Sequence, residues 1–255
     1  MASRTPSVFS FVDDPRPAYL LRLEPVARFL GSVSPRDFLE VGPGRGDLAA
    51  WLAARGFHGI LVEPAPGAVD SLRRRFASRD QVRIHPGTLE TLPEIDPAGL
   101  IIICEVLEHL ADDAGLLREA ARRSAPGGLL VGSVPAHTRL FAASDQLAGH
   151  LRRYERETLA ARLVDAGWQP IEIQGTGFPF GRLVRPLGEW AARRRLRFAA
   201  SSSAARTAGS GMQRLFPFAL SGAWVAPWLT PAFWAQRWSG TTDLGTGFFF
   251  AARRR

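Results

Sequence analysis

Two rhythms of apolar positions run along this chain. Across residues 13–30, Leu20, Leu21, Leu23, Val26, Phe29 and Leu30 recur at helical spacing and predict an approach helix with one buried face. From residue 37 short apolar runs alternate with amphipathic stretches. Segments 38–41, 59–63, 81–85, 100–104, 129–134 and 168–174 read as strands, and 246–252 as a seventh. Between them, 47–55, 67–78, 112–124 and 156–166 have helical periodicity. Gly56 and Gly167 close two of these helices, and Pro126-Gly127-Gly128 stops a third. Strand and helix alternating at this spacing predict an α/β fold with a doubly wound, mostly parallel, seven-stranded sheet. Such sheets bind ligands beyond the carboxyl ends of their strands.

After Gly175 the alternation fails. Residues 178–197 mix apolar side chains with arginine, and 199–211 are rich in Ala, Ser and Gly, as a flexible linker or loop would be. In 215–238 the aromatics Phe216, Phe218, Trp224, Trp228, Phe233, Trp234 and Trp238 crowd together, divided by Pro217, Pro227 and Pro231. Four regions follow: a helical approach segment (1–36), a ligand-binding core (37–177), an aromatic and Arg-rich insertion or lid (178–242), and a final strand with a basic tail (243–255). The insertion reads in three ways: a lid offering an aromatic wall to a hydrophobic acceptor, a contact with a membrane interface, or a second small core.

Composition narrows the picture modestly. The 255 residues are 46% hydrophobic and 22% charged, as in an ordinary folded protein with a sizeable core. All 32 basic residues are arginine, and the net charge is +8. That permits anionic partners but fits a generally basic soluble enzyme equally well. Cys104 is the only cysteine, so no intrachain disulfide forms. Neither a signal peptide nor an uninterrupted apolar span is apparent, and the expectation is a cytoplasmic protein, with peripheral membrane contact open and no transmembrane segment.

The candidate chemistry begins at Glu40-Val41-Gly42-Pro43-Gly44-Arg45-Gly46, between the first strand and its helix. Glycines there let backbone approach a ligand, and the next helix offers free amides. Dinucleotide enzymes use such a turn too, so alone it is a weak signal. Glu40 suits a cationic amino group better than a pyrophosphate. Glu63, ending the second strand, suits a pair of ribose hydroxyls. Further on come Glu105-Val106-Leu107-Glu108-His109-Leu110 and then Pro126-Gly127-Gly128.

From residue 37 to 174 this order of motifs resembles the class I S-adenosylmethionine (SAM)-dependent methyltransferases, in particular the branch that includes the ubiquinone-biosynthesis O-methyltransferases. The resemblance implies a Rossmann-like fold and SAM as cofactor. By position it assigns Glu40 to the methionine amino group, Gly42, Gly44 and Gly46 to backbone contacts, and Glu63 to the ribose. Thr88 stands where the family often has an acid for the adenine amino group, so that contact is weaker here, and the amide of Leu89 is left to serve the ring. Cys104 and Glu105 would lie near the transferred methyl group.

Glu105, Glu108 and His109 share one face if they sit on a helical turn, and His150 follows the next strand on the same sheet edge. This quartet is similar to the divalent-metal site of small-RNA 2′-O-methyltransferases, where the metal, Mg²⁺ or another divalent ion, grips the accepting hydroxyl. Without a metal, His109 or His150 is a candidate general base, with Glu105 beside them; a purely structural role is the third reading. His137 is a weaker base candidate. Arg152 and Arg153 either meet an anionic substrate or form a solvated face. The favoured activity is methylation of a small, apolar or aromatic acceptor, such as a natural product, on oxygen. A metal-dependent RNA methyltransferase and a non-catalytic SAM-binding partner are the rivals, and a nucleic-acid partner is not expected.

Overall fold

Successive side chains of a strand point to opposite faces of its sheet, and here both faces are apolar. A computed structural model describes residues 7–13, 15–201 and 222–255. Seven strands form one sheet in the order β3-β2-β1-β4-β5-β7-β6. They are β1 (Asp37–Val41), β2 (His58–Glu63), β3 (Val82–Pro86), β4 (Ala98–Cys104), β5 (Ser124–Pro135), β6 (Trp168–Thr176) and β7 (Gly247–Arg254). Strands β1 to β5 pair in parallel, and β7 runs antiparallel between β5 and β6.

Helices cover each face, giving three layers. Leu100, Ile102 and Phe249 point to the side of α1 (Pro17–Leu30), α2 (Asp47–Ala54) and α3 (Pro66–Arg75). Ile101, Ile103, Phe248 and Phe250 point to the side of α4 (Asp113–Arg123) and α6 (Arg156–Asp165). Trp168, wholly buried, anchors α4 by donating its indole N–H to the Leu117 carbonyl at 2.9 Å. The helix starts are chemically marked. Pro17 is the first residue of α1, where its missing N–H costs nothing, and Asp112 caps α4 by accepting from the Gly115 amide at 2.7 Å.

Three segments differ from the reading of the sequence. Pro126-Gly127-Gly128 does not separate helix from strand. The β4–β5 register jumps from Ala98–Ser124 to Leu100–Leu129, so the tripeptide is an irregularity within β5. The Arg-rich stretch after β6 is a long helix, α7 (Phe180–Ser201), and a short helix, α5 (Ala143–Ala148), packs against it. The aromatic stretch is also helical: α8 (Gly222–Val225), a 3₁₀ turn (Ala226–Leu229) and α9 (Thr230–Trp238). Pro227 and Pro231 open the last two of these, at the first-turn positions proline tolerates, rather than breaking them. The expected loop at 199–211 lies, from residue 202 onward, outside the described residues, as do Phe216, Pro217 and Phe218.

Candidate active site

Between β1 and α2 the chain must leave the sheet and start a helix within five residues. Gly42, Gly44 and Gly46 do so with φ of +65°, +56° and +72°, a region that side chains disfavour. A Cβ on Gly42 would lie 2.6 Å from Val106, and one on Gly46 2.8 Å from the Phe76 ring. At Gly44 nothing stands within 4 Å of the Cβ position. Its backbone borders a cleft of about 260 Å³, whose wall includes Tyr19, Arg22, Glu40, Asp47, Cys104 and Glu105.

Two acids are buried against this cleft, and only one is fully engaged. Asp47 receives Arg75 at 2.6 Å and the Tyr19 hydroxyl at 3.1 Å. Arg75 also donates to the carbonyls of Arg45 and Phe11, which ties the chain's start to the glycine loop. Glu40 is 4% exposed, and its Oε2 has no hydrogen-bond partner among the described residues. Burial, then the charge of Asp47, push its carboxyl up to about 8 against the pull of Arg75. A buried carboxylate oxygen left unpaired beside a cleft fits a ligand's cationic group, as SAM's ammonium would provide. Cys104 is held as a neutral thiol: burial, then the charges of Glu40 and Glu105, push its pKa up.

Glu63 ends β2, with Oε1 accepting from the Ala65 amide at 2.9 Å. Thr88 is exposed, and its amide donates to the Thr91 hydroxyl at 3.0 Å. The Leu89 side chain is 1% exposed and belongs to the core. Glu63, Thr88 and Leu89 lie outside the wall of the Glu40 cleft, at the ends of β2 and beyond β3.

The reading of Glu105, Glu108 and His109 as one helical face does not hold. Glu105 has φ +56° and precedes the 3₁₀ turn Leu107–His109, so its carboxylate leaves in another direction. It accepts from Arg22 of α1 at 2.5 Å and from the Ser133 hydroxyl at 3.0 Å. Arg22 and Glu105 thereby border both the first cleft and a second of about 340 Å³. The second cleft is walled by α5, α7 and β7, and includes Ser144, Asp145, His150, Arg153, Arg185 and Glu189.

Glu108, His109 and His150 do converge, with one candidate ligand atom each within 4.8 Å of the others. Glu108 is wholly buried, and neither carboxylate oxygen has a hydrogen-bond partner. Burial, then the charge of Glu105, hold its pKa well above the usual carboxyl range. The two imidazoles meet edge to face, 4.8 Å between centroids. Burial, then His150, lower the pKa of His109. His109 Nδ1 lies 3.3 Å from the Gly149 carbonyl, and His150 Nδ1 lies 2.9 Å from Asp145 Oδ1. Each ring is thus held at Nδ1, which leaves Nε2 for a ligand. A buried carboxylate without a hydrogen bond, its Oε1 3.9 Å from His150 Nε2, beside two such imidazoles fits a divalent cation; Glu105, expected as a fourth ligand, lies outside this cluster.

Asp145 was not singled out in the sequence, yet it organises this corner. Burial opposes its ionisation, but hydrogen bonds from His150, Arg153 and the Ala142 amide outweigh that and bring its pKa to about 2. Arg153 donates to Asp145 at 2.9 Å and to the Ala136 carbonyl, while Arg152 pairs with Asp113 at 3.1 Å. Asp145, in α5, precedes His150 by five residues, a nearness in sequence that offered the clue. His137 lines neither cleft; it is 1% exposed, with Nδ1 3.0 Å from Glu155. Trp224, Trp228, Trp234 and Trp238 do not wall the second cleft, being 72–86% exposed to solvent.

A sheet of this order, with its last strand inserted antiparallel and an acid-flanked glycine loop at its carboxyl edge, is the fold of the class I SAM-dependent methyltransferases. Residues 16–173, more than half of the chain, match the family described as "Methyltransferase domain", and the protein belongs to that family. A protein of Mycobacterium tuberculosis named "Probable S-adenosylmethionine-dependent methyltransferase" is 31% identical over 143 residues, 55% of this chain and 51% of that protein. The chain thus spans about half the length of this relative. The ubiquinone biosynthesis O-methyltransferase of Azorhizobium caulinodans is 30% identical over 181 residues, 64% of this chain and 69% of that protein. Among solved structures, the N-methyltransferase NodS of Bradyrhizobium japonicum superposes with a TM-score of 0.57 at 15% identity, covering 95% of this chain and 99% of that one. The cyclase SpnF superposes with a TM-score of 0.59 at 18% identity, covering 91% and 79%. These likenesses are of fold.

Proposed function

We propose that the protein transfers the methyl group of SAM to a hydroxyl oxygen of a small polar molecule bound in the second cleft. Oxygen as the acceptor atom is supported by relatives named ubiquinone biosynthesis O-methyltransferase. Ser144, Asp145, Arg153 and Glu189 in the wall of that cleft support a polar acceptor in place of the apolar one the crowded aromatics suggested. A cytoplasmic setting, in which Cys104 stays a thiol, belongs to the same reading.

Glu40 would hold the cofactor's ammonium and Glu63 its ribose hydroxyls, with the amides after Gly44 close to the ligand. Glu105, fixed by Arg22 and Ser133, stands where the two clefts meet and orients the accepting hydroxyl toward the methyl group. The observation that carries the metal-assisted form is Glu108, fully buried beside His109 and His150 with no hydrogen bond to either oxygen among the described residues. These three residues would hold a divalent cation. Bound there, Mg²⁺ or a similar ion supplies Lewis acidity that lowers the pKa of a hydroxyl ligand. The Asp145–His150 pair favours a second reading, in which Asp145 orients the ring and His150 Nε2 takes the hydroxyl proton unaided.

Two measurements separate them. Calorimetric titration of the chelated protein with Mg²⁺ or Mn²⁺ should show one site, absent in Glu108→Gln, and turnover should vanish in chelator and return with metal. Full turnover in chelator would leave only the general-base reading.

A further inference from the structure

The excess positive charge of this chain is confined to one segment. Residues 178–242 contain nine arginines and a single acid, Glu189, whereas the rest of the chain balances 23 arginines against 23 acids. Glu189 is buried, 7% exposed, and engaged with Ser144. Among the described residues of the segment, no acid therefore offsets the arginines at the surface.

The same segment turns its largest apolar side chains outward. The inner face of α7 supplies Gly181, Val184 and Gly188 to the second cleft. Its outer face carries Leu183, Leu187, Trp190 and Phe198, at 75%, 69%, 59% and 62% exposure. Their spacing keeps them on one side of the helix. Arg194 lies on that stripe, 5.8 Å and 5.7 Å from the ring centroids of Trp190 and Phe198, with Arg193, Arg195 and Arg197 exposed around it. Beyond the undescribed stretch, residues 222–238 pack inward through Ala226, Leu229, Phe233 and Gln236. Trp224, Trp228, Trp234 and Trp238 face solvent at 75%, 86%, 72% and 83%.

Large exposed apolar patches mark interaction sites. The chemistry of these two surfaces selects their partner. Tryptophan and arginine are the pair favoured at the headgroup level of a bilayer, and a basic amphipathic helix lies in the plane of that interface. Single-stranded nucleic acid would engage arginines and stack on aromatic rings, but gives no use to Leu183 and Leu187 in the middle of the stripe. We infer that the outer face of α7 and the tryptophans of 222–238 dock the protein onto an anionic lipid bilayer. The tryptophans then sit among the headgroups, and the arginines meet lipid phosphates and acidic headgroups. Only the thickness of α7 would separate the bilayer from the second cleft. The docking is independent of what that cleft methylates.

Flotation of the full chain with vesicles tests this without any turnover measurement. Vesicles of phosphatidylcholine with about one-third phosphatidylglycerol should retain the protein at low ionic strength, and neutral vesicles should retain much less. Tryptophan emission should shift to the blue on binding. Raising salt to about 0.5 M should weaken partition at least about tenfold. The Arg195→Glu, Arg197→Glu double variant should weaken it on the order of 25-fold, about fivefold for each arginine lost at the surface. Trp228→Ser with Trp238→Ser should weaken it about tenfold or more. Because these side chains are exposed, both variants should keep the parent's melting temperature and SAM affinity. No retention on anionic vesicles, or retention undiminished in the tryptophan variant, overturns the inference. Salt-sensitive binding to single-stranded RNA without vesicle binding overturns it as well, and assigns the arginines to nucleic acid.

Discussion

With its carboxyl raised to about 8, Glu40 should make cofactor binding a proton-releasing reaction on the proposed reading, in which it holds the ammonium of SAM. At pH 7 such a group is roughly nine-tenths protonated. The ammonium of SAM pairs with the carboxylate form, so binding at pH 7 should expel about 0.9 proton. Affinity should accordingly rise about tenfold between pH 6 and pH 7, where the ligand's own amine stays charged. Calorimetry in buffers of different ionisation enthalpy reads the proton count directly. Glu40→Gln keeps the shape and removes the charge, so the release should vanish and the pH dependence flatten. The affinity deficit of the variant at pH 7 is smaller than intuition suggests. A hydrogen bond to a charged group contributes about 1.5–3 kcal/mol, and displacing the proton offsets about 1.4 kcal/mol of it. The loss is then at most on the order of tenfold. Without ligand the sign reverses for stability. The folded value lies above the ordinary one near 4.5, so stability is complete below that and declines as pH rises through about 8. Proton-neutral SAM binding by the parent at pH 7, or release undiminished in Glu40→Gln, would refute this account of the site.

Asp145→Asn should remove the negative charge that fixes His150 while preserving volume; we expect divalent-metal affinity and kcat to fall about 10–100-fold with SAM affinity unchanged, and a uniform loss of all three would indicate a structural role instead. Two glycine substitutions should fail differently. Gly46→Ala combines φ +72° with a Cβ 2.8 Å from the Phe76 ring and should lower stability by about 1–3 kcal/mol in thermal or denaturant melts. Gly44→Ala meets no protein atom, so its stability cost should be smaller, while calorimetry should show weakened SAM binding because the methyl enters the cleft.

Legibility in the sequence followed distance along the chain. The strands were visible because alternate residues such as Ile101 and Ile102 bury on opposite faces, which leaves runs that are apolar throughout. Glu40 and the glycines were visible because β1, the turn and α2 are consecutive. Glu105 was misdirected because its left-handed backbone depends on partners far away: Arg22 is 83 residues distant and Ser133 is 28. Asp145 was missed because a carboxylate's role here is defined by which imidazole it meets. The tryptophans of 222–238 were legible as a cluster but not as a surface, since composition does not say which side of a helix is covered.

The Arg22–Glu105 pair has a kinetic consequence. It stands as a partition shared by two chambers, one roofed by α1 and the glycine loop, the other by α5 and α7. On the proposed reading, this one ion pair would stand between sulfonium and acceptor, so its rearrangement would bear on how fast the two meet.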